Sequence, residues 1–302
     1  AAGHRQVDAA VSHRGIHVLH VIVAAADLAL PGKRLLFGNF EDLGALTWRG
    51  IALAADGENA VAERFRLEAL GRAPQEPGTG QNVRTASGYL NACADSAVMA
   101  IHDCDIVTYD REMLARLVYP VAHPGFSYQL SKGYYPRVGE GKLNGRVTRL
   151  LVSPLLIALK KVIGDRDFIE YLRAFRYPLS GEFAMRTAML PDLRIPSDWG
   201  LEIGVLSEAW RNLAPQAVCQ VEIADRYDHK HQEVSAEDAK TGLNRMSIDI
   251  STAIVRKLAA DGTVFTSNTF RTLRATYYRT ALDLLEAYAN DARMNGLTLD
   301  RH

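Results

Sequence analysis

The chain has 302 residues, 48% hydrophobic and 23% charged, which is enough for one large or two unequal domains with a sizeable core. Lys plus Arg equals Asp plus Glu at 35 each, so no net field draws the chain to nucleic acid or to an anionic membrane. Neither partner is expected, and any anion site must be a local cluster.

No apolar run reaches the roughly 18 residues of a membrane-spanning helix. The apolar patch Ile16–Leu30 contains His17, His20 and Asp27 and has no cleavage-site pattern, unlike a signal peptide. The first residue is not Met, so a longer gene product is expected. Cys93, Cys104 and Cys219 fall at no metal spacing, which fits a reduced, cytoplasmic protein.

In chain order, Val18–Ala26 predicts a strand, Leu35–Phe37, Leu46–Trp48 and Ile51–Leu53 short extended segments, and Glu58–Leu70 a helix. Ala73–Gly80 is Pro- and Gly-rich and reads as a loop. Its Gly78-Thr79-Gly80 precedes helical spacing over Asn82–Ala97, so the loop either cradles phosphate on free N–H groups or makes an ordinary tight turn. Met99–Ile106 reads as a buried strand that stops where carboxylates begin. Asp103 and Asp105 are two apart, and in extended chain they aim at one point. A divalent metal between them would relieve their repulsion; a solvated turn is the other reading.

Asp110–Val118 predicts a helix with Glu112 and Arg116 paired at i, i+4 on its wet face. Phe126–Leu130 and Gly133–Val138 are strands, and Gly139–Asn144 is a flexible loop. In Gly145-Arg146-Val147-Thr148-Arg149 the two arginines stand three apart, so a helical first turn places them on one side. With the Thr148 hydroxyl they form either a compact phosphate or carboxylate binder or a solvated helix start. Leu150–Ile163 is a mostly buried helix, kinked or started at Pro154. Glu182 follows the turn Pro178–Gly181. Glu202 opens a helix over Ile203–Ala214, where an acid also suits the positive end of the dipole. Val218–Ala224 is a strand, followed by His229 and His231 at extended spacing, either metal ligands or a polar loop. From Met246 onward the pattern is helical, and Asn268–Asn290 carries a packing stripe through Phe270, Leu273, Tyr277, Ala281, Leu284, Leu285 and Tyr288.

Taken together, these motifs resemble those of the glucosyl-3-phosphoglycerate and mannosyl-3-phosphoglycerate synthases, a family of retaining GT-A glycosyltransferases. The likeness runs from about Gly78 to about His231. The alternation of strands and helices up to about Ala214 argues for an α/β fold, and the likeness implies a GT-A Rossmann-like nucleotide-sugar-binding sheet over residues 1–232. A helical C-terminal extension would occupy residues 233–302, and its aromatic stripe, buried against a twofold mate, predicts a homodimer. The likeness further implies glucose transfer from a nucleoside diphosphate glucose to 3-phosphoglycerate, with Mg²⁺ or Mn²⁺ as cofactor. Asp103-Cys104-Asp105 is similar to the family's D-x-D, which puts Asp103, Asp105 and His229 on the metal. Asp103, Cys104, Gly78 and Gly80 would then lie on the nucleotide side. Gly145, Arg146, Val147 and Thr148 match the acceptor loop, with His231 where the family has Asn. Glu182 and Glu202 match the carboxylates beside the sugar and, with Asp105, form the expected catalytic set. Thr79 stands where the family has Lys, and the N-terminal P-A-L-N-E-E-type loop is not found. Alternative readings are a mannosyl transferase using GDP-mannose, a catalytically silent nucleotide-sugar-binding protein and a metal phosphohydrolase.

Overall fold

The strand expected around Met99 runs from Ser96 to Asp103 (β3) and lies near the middle of the main sheet. The computed structural model describes residues 20–26, 49–54, 83–84, 87–88, 90–91, 96–103, 106–139, 141–196, 198–228 and 242–299. The segments expected at 35–37, 46–48, 58–70 and 73–80 lie outside them, as do Gly78, Gly80, Cys104, Asp105, His229 and His231.

The main sheet also contains β1 (His20–Ala26), β2 (Arg49–Ala54), β4 (Leu130–Tyr134), β7 (Phe183–Arg186) and β8 (Val218–Glu222). Its order is β2-β1-β3-β7-β4-β8. β7 is antiparallel to both β3 and β4, and β4 is parallel to β8, so β3, β4 and β8 all run the same way. Their carboxyl ends therefore open on one edge of the sheet, where open α/β sheets bind ligands. The expected strand Phe126–Leu130 is displaced: Phe126 is exposed, and the pairing begins at Leu130.

Period-two alternation assigns the two faces. Met99, Ile101, Phe183 and Met185 enter the larger core, while Val98, Ala100 and Ala184 enter the smaller one. The smaller core is closed by α1 (Arg111–Ala122) through Met113, Leu117, Val118 and Val121. Asp110 caps this helix by accepting from Met113 N at 3.0 Å, and Glu112 pairs with Arg116 at 2.6 Å as the spacing predicts. The larger core is covered by α2 (Ser153–Ile163), α3 (Asp167–Arg173), α4 (Leu201–Asn212), α5 (Gly242–Ala260) and α6 (Ser267–Met294). A π-helical turn over Val147–Val152 leads into α2, with Pro154 tolerated in the first turn of that helix.

The stripe expected along α6 is divided by the packing. Leu273 is buried and Tyr277 lies against the core, whereas Phe270 is 46% exposed. The loop expected over Gly139–Asn144 also carries pairing of its own. Val138–Gly139 (β5) and Lys142–Leu143 (β6) pair with each other, and β6 pairs in parallel with Thr298–Leu299 (β9) beyond α6.

Candidate active site

Strand order brings together residues that lie far apart in sequence. Asp103 ends β3, Lys132 lies in β4, and Ser180-Gly181-Glu182 is the turn entering β7 between them. Glu202 arrives on the first turn of α4. A Cβ at Gly181 would stand 2.5 Å from Asp103 Oδ1, closer than real contacts allow, so the bare backbone lets the Asp103 carboxylate lie against the turn.

Glu182 is fully buried and well bonded: Oε1 accepts from the Tyr227 hydroxyl at 2.7 Å, and Oε2 from Ser180 Oγ at 2.8 Å. The Asp103 N–H also points at Oε1, at 3.4 Å. Burial, and then the neighbouring Asp103 charge, push the Glu182 carboxyl above the usual range, and the bonds from Tyr227 and Ser180 oppose that rise.

Lys132 is 2% exposed, and its ammonium donates to the Ser180 carbonyl. Burial lowers its pKa to about 8, against the pull of Glu202, Glu182 and Asp103. A buried ammonium under the pull of three carboxylates is the charge centre of the site, and removing it would weaken the counter-charge of the buried Glu182. Sequence reasoning passed over Lys132. Its signal was a lone charge inside a strand whose neighbours Leu130 and Gly133 are buried.

The expected acceptor loop lies at the π-helical turn. Gly145 has φ +86, a left-handed conformation that favours glycine, and Arg146 and Val147 follow with intermediate burial. Thr148 Oγ1 is buried without a hydrogen-bond partner. Arg149, expected to share a side with Arg146, instead turns inward. Its Nε donates to Asn144 O at 3.0 Å and its Nη2 to Leu143 O at 2.8 Å, so it secures the loop backbone. On its other side, the Arg149 guanidinium carbon lies 5.4 Å from the Tyr288 ring centroid of α6.

The donor chemistry of this edge fits a divalent cation. The charges of Asp103, Glu182 and Glu202 act on the Lys132 ammonium and that of Glu182 on Arg137 as well, and carboxylate oxygens such as those of Asp103 are the hard donors a divalent cation takes. Of the expected ligand set, Asp103 is described, while Asp105 and His229 fall outside the described residues. Among the described residues no group of three or more His, Cys, Asp or Glu stands ready to hold a metal. No helix among them is long and apolar enough to cross a membrane.

The chain is 46% identical over 247 residues to a glucosyl-3-phosphoglycerate synthase of Persephonella marina, covering 82% of this chain and 61% of the relative. It is 39% identical over 228 residues to the enzyme of that name from Methanococcoides burtonii, covering 74% and 55%. The chain thus spans about three-fifths of the length of the curated relatives it matches. Among solved structures it is similar to glucosyl-3-phosphoglycerate synthase from Mycobacterium tuberculosis in complex with Mn²⁺, UDP-glucose and phosphoglyceric acid. That match has a TM-score of 0.50 and 25% identity, over 67% of this chain and 61% of the other. No family model matches the chain. At 46% and 39% identity over 82% and 74% of its length, the chain is a homologue of the glucosyl-3-phosphoglycerate synthases, which are GT-A glycosyltransferases.

Proposed function

We propose that this chain is the catalytic part of a retaining glucosyltransferase that moves glucose from UDP-glucose to 3-phosphoglycerate, giving glucosyl-3-phosphoglycerate. The observation that carries this reading is the meeting of Asp103 and Lys132 at the Ser180-Gly181-Glu182 turn between β3 and β4. The donor and acceptor are taken from the Mycobacterium tuberculosis complex, and that enzyme is solved with Mn²⁺ and with Mg²⁺, so either ion serves as the metal here. Asp103, Asp105 and His229 would hold the metal, which neutralises charge on the departing diphosphate. Gly78, Gly80 and Cys104 would lie along the nucleotide. Glu202 would bind sugar hydroxyls, while Glu182, through Tyr227 and the Asp103 N–H, would fix the wall against which the sugar sits. Gly145, Arg146, Val147, Thr148 and His231 would dock the acceptor's anionic groups and align its hydroxyl with the anomeric carbon. We further propose a cytoplasmic homodimer, with the outward face of α6 as the contact.

The test is transfer itself. The protein is incubated with Mn²⁺ or Mg²⁺, 3-phosphoglycerate and a panel of nucleoside diphosphate glucoses and mannoses, and products are read by mass. A glucosyl-phosphoglycerate product from UDP-glucose is expected, with Asp105→Ala reducing turnover by about 100-fold or more in a folded protein. Unchanged turnover in Asp105→Ala would refute the metal assignment. A mannosyl product, donor binding without product, or cleavage of the donor without acceptor would each replace the proposal with its rival.

A further inference from the structure

The acceptor loop has a neighbour that the family motifs leave out. Arg137 lies in the short segment between β4 and β5, and its side chain runs alongside Gly145. A Cβ placed on that glycine would be 3.4 Å from both Cβ and Cγ of Arg137 and 3.7 Å from its Nε. The Asn144 N–H donates to the Arg137 carbonyl at 2.7 Å, so loop and arginine are held together by backbone as well.

The guanidinium is enclosed by tyrosine rings rather than carboxylates. Its central carbon lies 5.9 Å from the Tyr135 centroid, 5.6 Å from Tyr177 and 6.0 Å from Tyr227. Tyr135 and Tyr227 stack with centroids 3.4 Å apart and planes within 6°, and Tyr177 meets Tyr135 edge-on at 5.3 Å. The cage is anchored to the sugar side, since Tyr227 donates to Glu182. Within it, Arg137 Nε is buried without a hydrogen-bond partner, and the side chain forms no ion pair among the described residues. The Thr148 hydroxyl, three residues beyond Gly145, is likewise buried and unpartnered. Aromatic rings stabilise a guanidinium by their faces and leave its N–H edge unused, and a buried donor without an acceptor is costly unless a ligand supplies one.

We propose that Arg137 is an anion-binding residue of the acceptor subsite. It takes one anionic group of a doubly anionic acceptor, while the Gly145–Thr148 loop takes the other. This rests on the acceptor reading given under Proposed function and adds a second cation to it. Two anionic groups on one small molecule are best held by two separate positive hands, which fix its orientation as well as its affinity.

The test reads binding rather than turnover. Wild type and Arg137→Met, loaded with Mn²⁺ and UDP, are titrated calorimetrically with 3-phosphoglycerate, glycerol 3-phosphate and glycerate. The variant is expected to bind 3-phosphoglycerate about tenfold or more weakly, with UDP affinity unchanged. Weakening confined to glycerol 3-phosphate would put Arg137 on the phosphate, and weakening confined to glycerate would put it on the carboxylate. Equal weakening of both analogues, loss of UDP binding or no change would overturn the proposal. If Arg137→Met does not fold, Arg137→Lys carries the same comparison, because it keeps the charge and loses the planar fork. A wild-type protein that binds these anions through Arg137 but transfers no sugar would sink the transferase reading and leave this one standing.

Discussion

His102 shows how the site edge is made at the scale of one residue. It is 1% exposed in β3, directly before Asp103, with both ring nitrogens buried and unpartnered and its ring edge-on to Tyr109 at 5.4 Å. Burial, only partly offset by the Asp103 charge, lowers its pKa from 6.5 to about 4. The unfolded chain therefore takes up a proton on His102 at a pH where the folded chain does not. Its contribution to stability is complete above pH 6.5 and is lost as the pH falls toward 4, by up to about 3 kcal/mol. His102→Phe is expected to flatten this acid slope in urea-unfolding midpoints measured between pH 4 and 7; an unchanged slope would show that His102 is not its source. The Asp103 motif beside it was legible because carboxylates at the end of an apolar run are conspicuous. The burial of His102, Lys132 and Arg137 was not, because burial depends on which strands become neighbours and the local pattern does not carry that. Glu182 and Glu202 were legible as acids near turns, but the Tyr227 and Ser180 bonds that hold Glu182 join segments far apart in sequence.

At the scale of elements, helices were easier to read than pairings. Asp110, expected as the first residue of the helix α1, caps it instead, whereas the Glu112–Arg116 pair follows from spacing alone. The β6–β9 pairing does not, because it joins two short strands at opposite ends of the described C-terminal half. Several contacts tie the expected acceptor loop and the turn after it to α6 and β9, among them β6 to β9, Arg149 to Tyr288, and the Tyr277 hydroxyl to the Leu150 carbonyl at 2.7 Å. The helical extension is therefore built into the loop's support. Removing residues 295–302, which include β9, is expected to raise the acceptor KM several-fold while leaving UDP binding within about twofold. Parallel loss of UDP binding would show instead that the deletion disturbs the whole sheet.

At the scale of the whole molecule, the α/β class and the helical tail were legible from the switch between strand and helix periodicity. The antiparallel insertion of β7 between β3 and β4 was not, although it is what brings Glu182 to Asp103. The outer face of α6 exposes Phe270 at 46%, Tyr278 at 66% and Leu282 at 44%, spaced at eight and four residues along one side. This is the surface proposed to meet a twofold mate. Tyr278→Glu combined with Leu282→Glu should shift the protein from dimer to monomer by light scattering at micromolar concentration, without changing its circular dichroism. A wild-type monomer under the same conditions would rule the contact out.

The link between β6 and β9 also bears on the order in which the protein is made. Thr298 Oγ1 donates to the Gly141 carbonyl across 157 positions, so the β5–β6 hairpin waits for residue 298 to leave the ribosome before it gains its third strand. The strands β3, β4, β7 and β8 can pair well before that, because all of them have emerged by Glu222. A nascent chain would thus pair the central strands of its main sheet before it closes the three-stranded one, and a ribosome stalled within α6 would display the hairpin still waiting for the strand that steadies it.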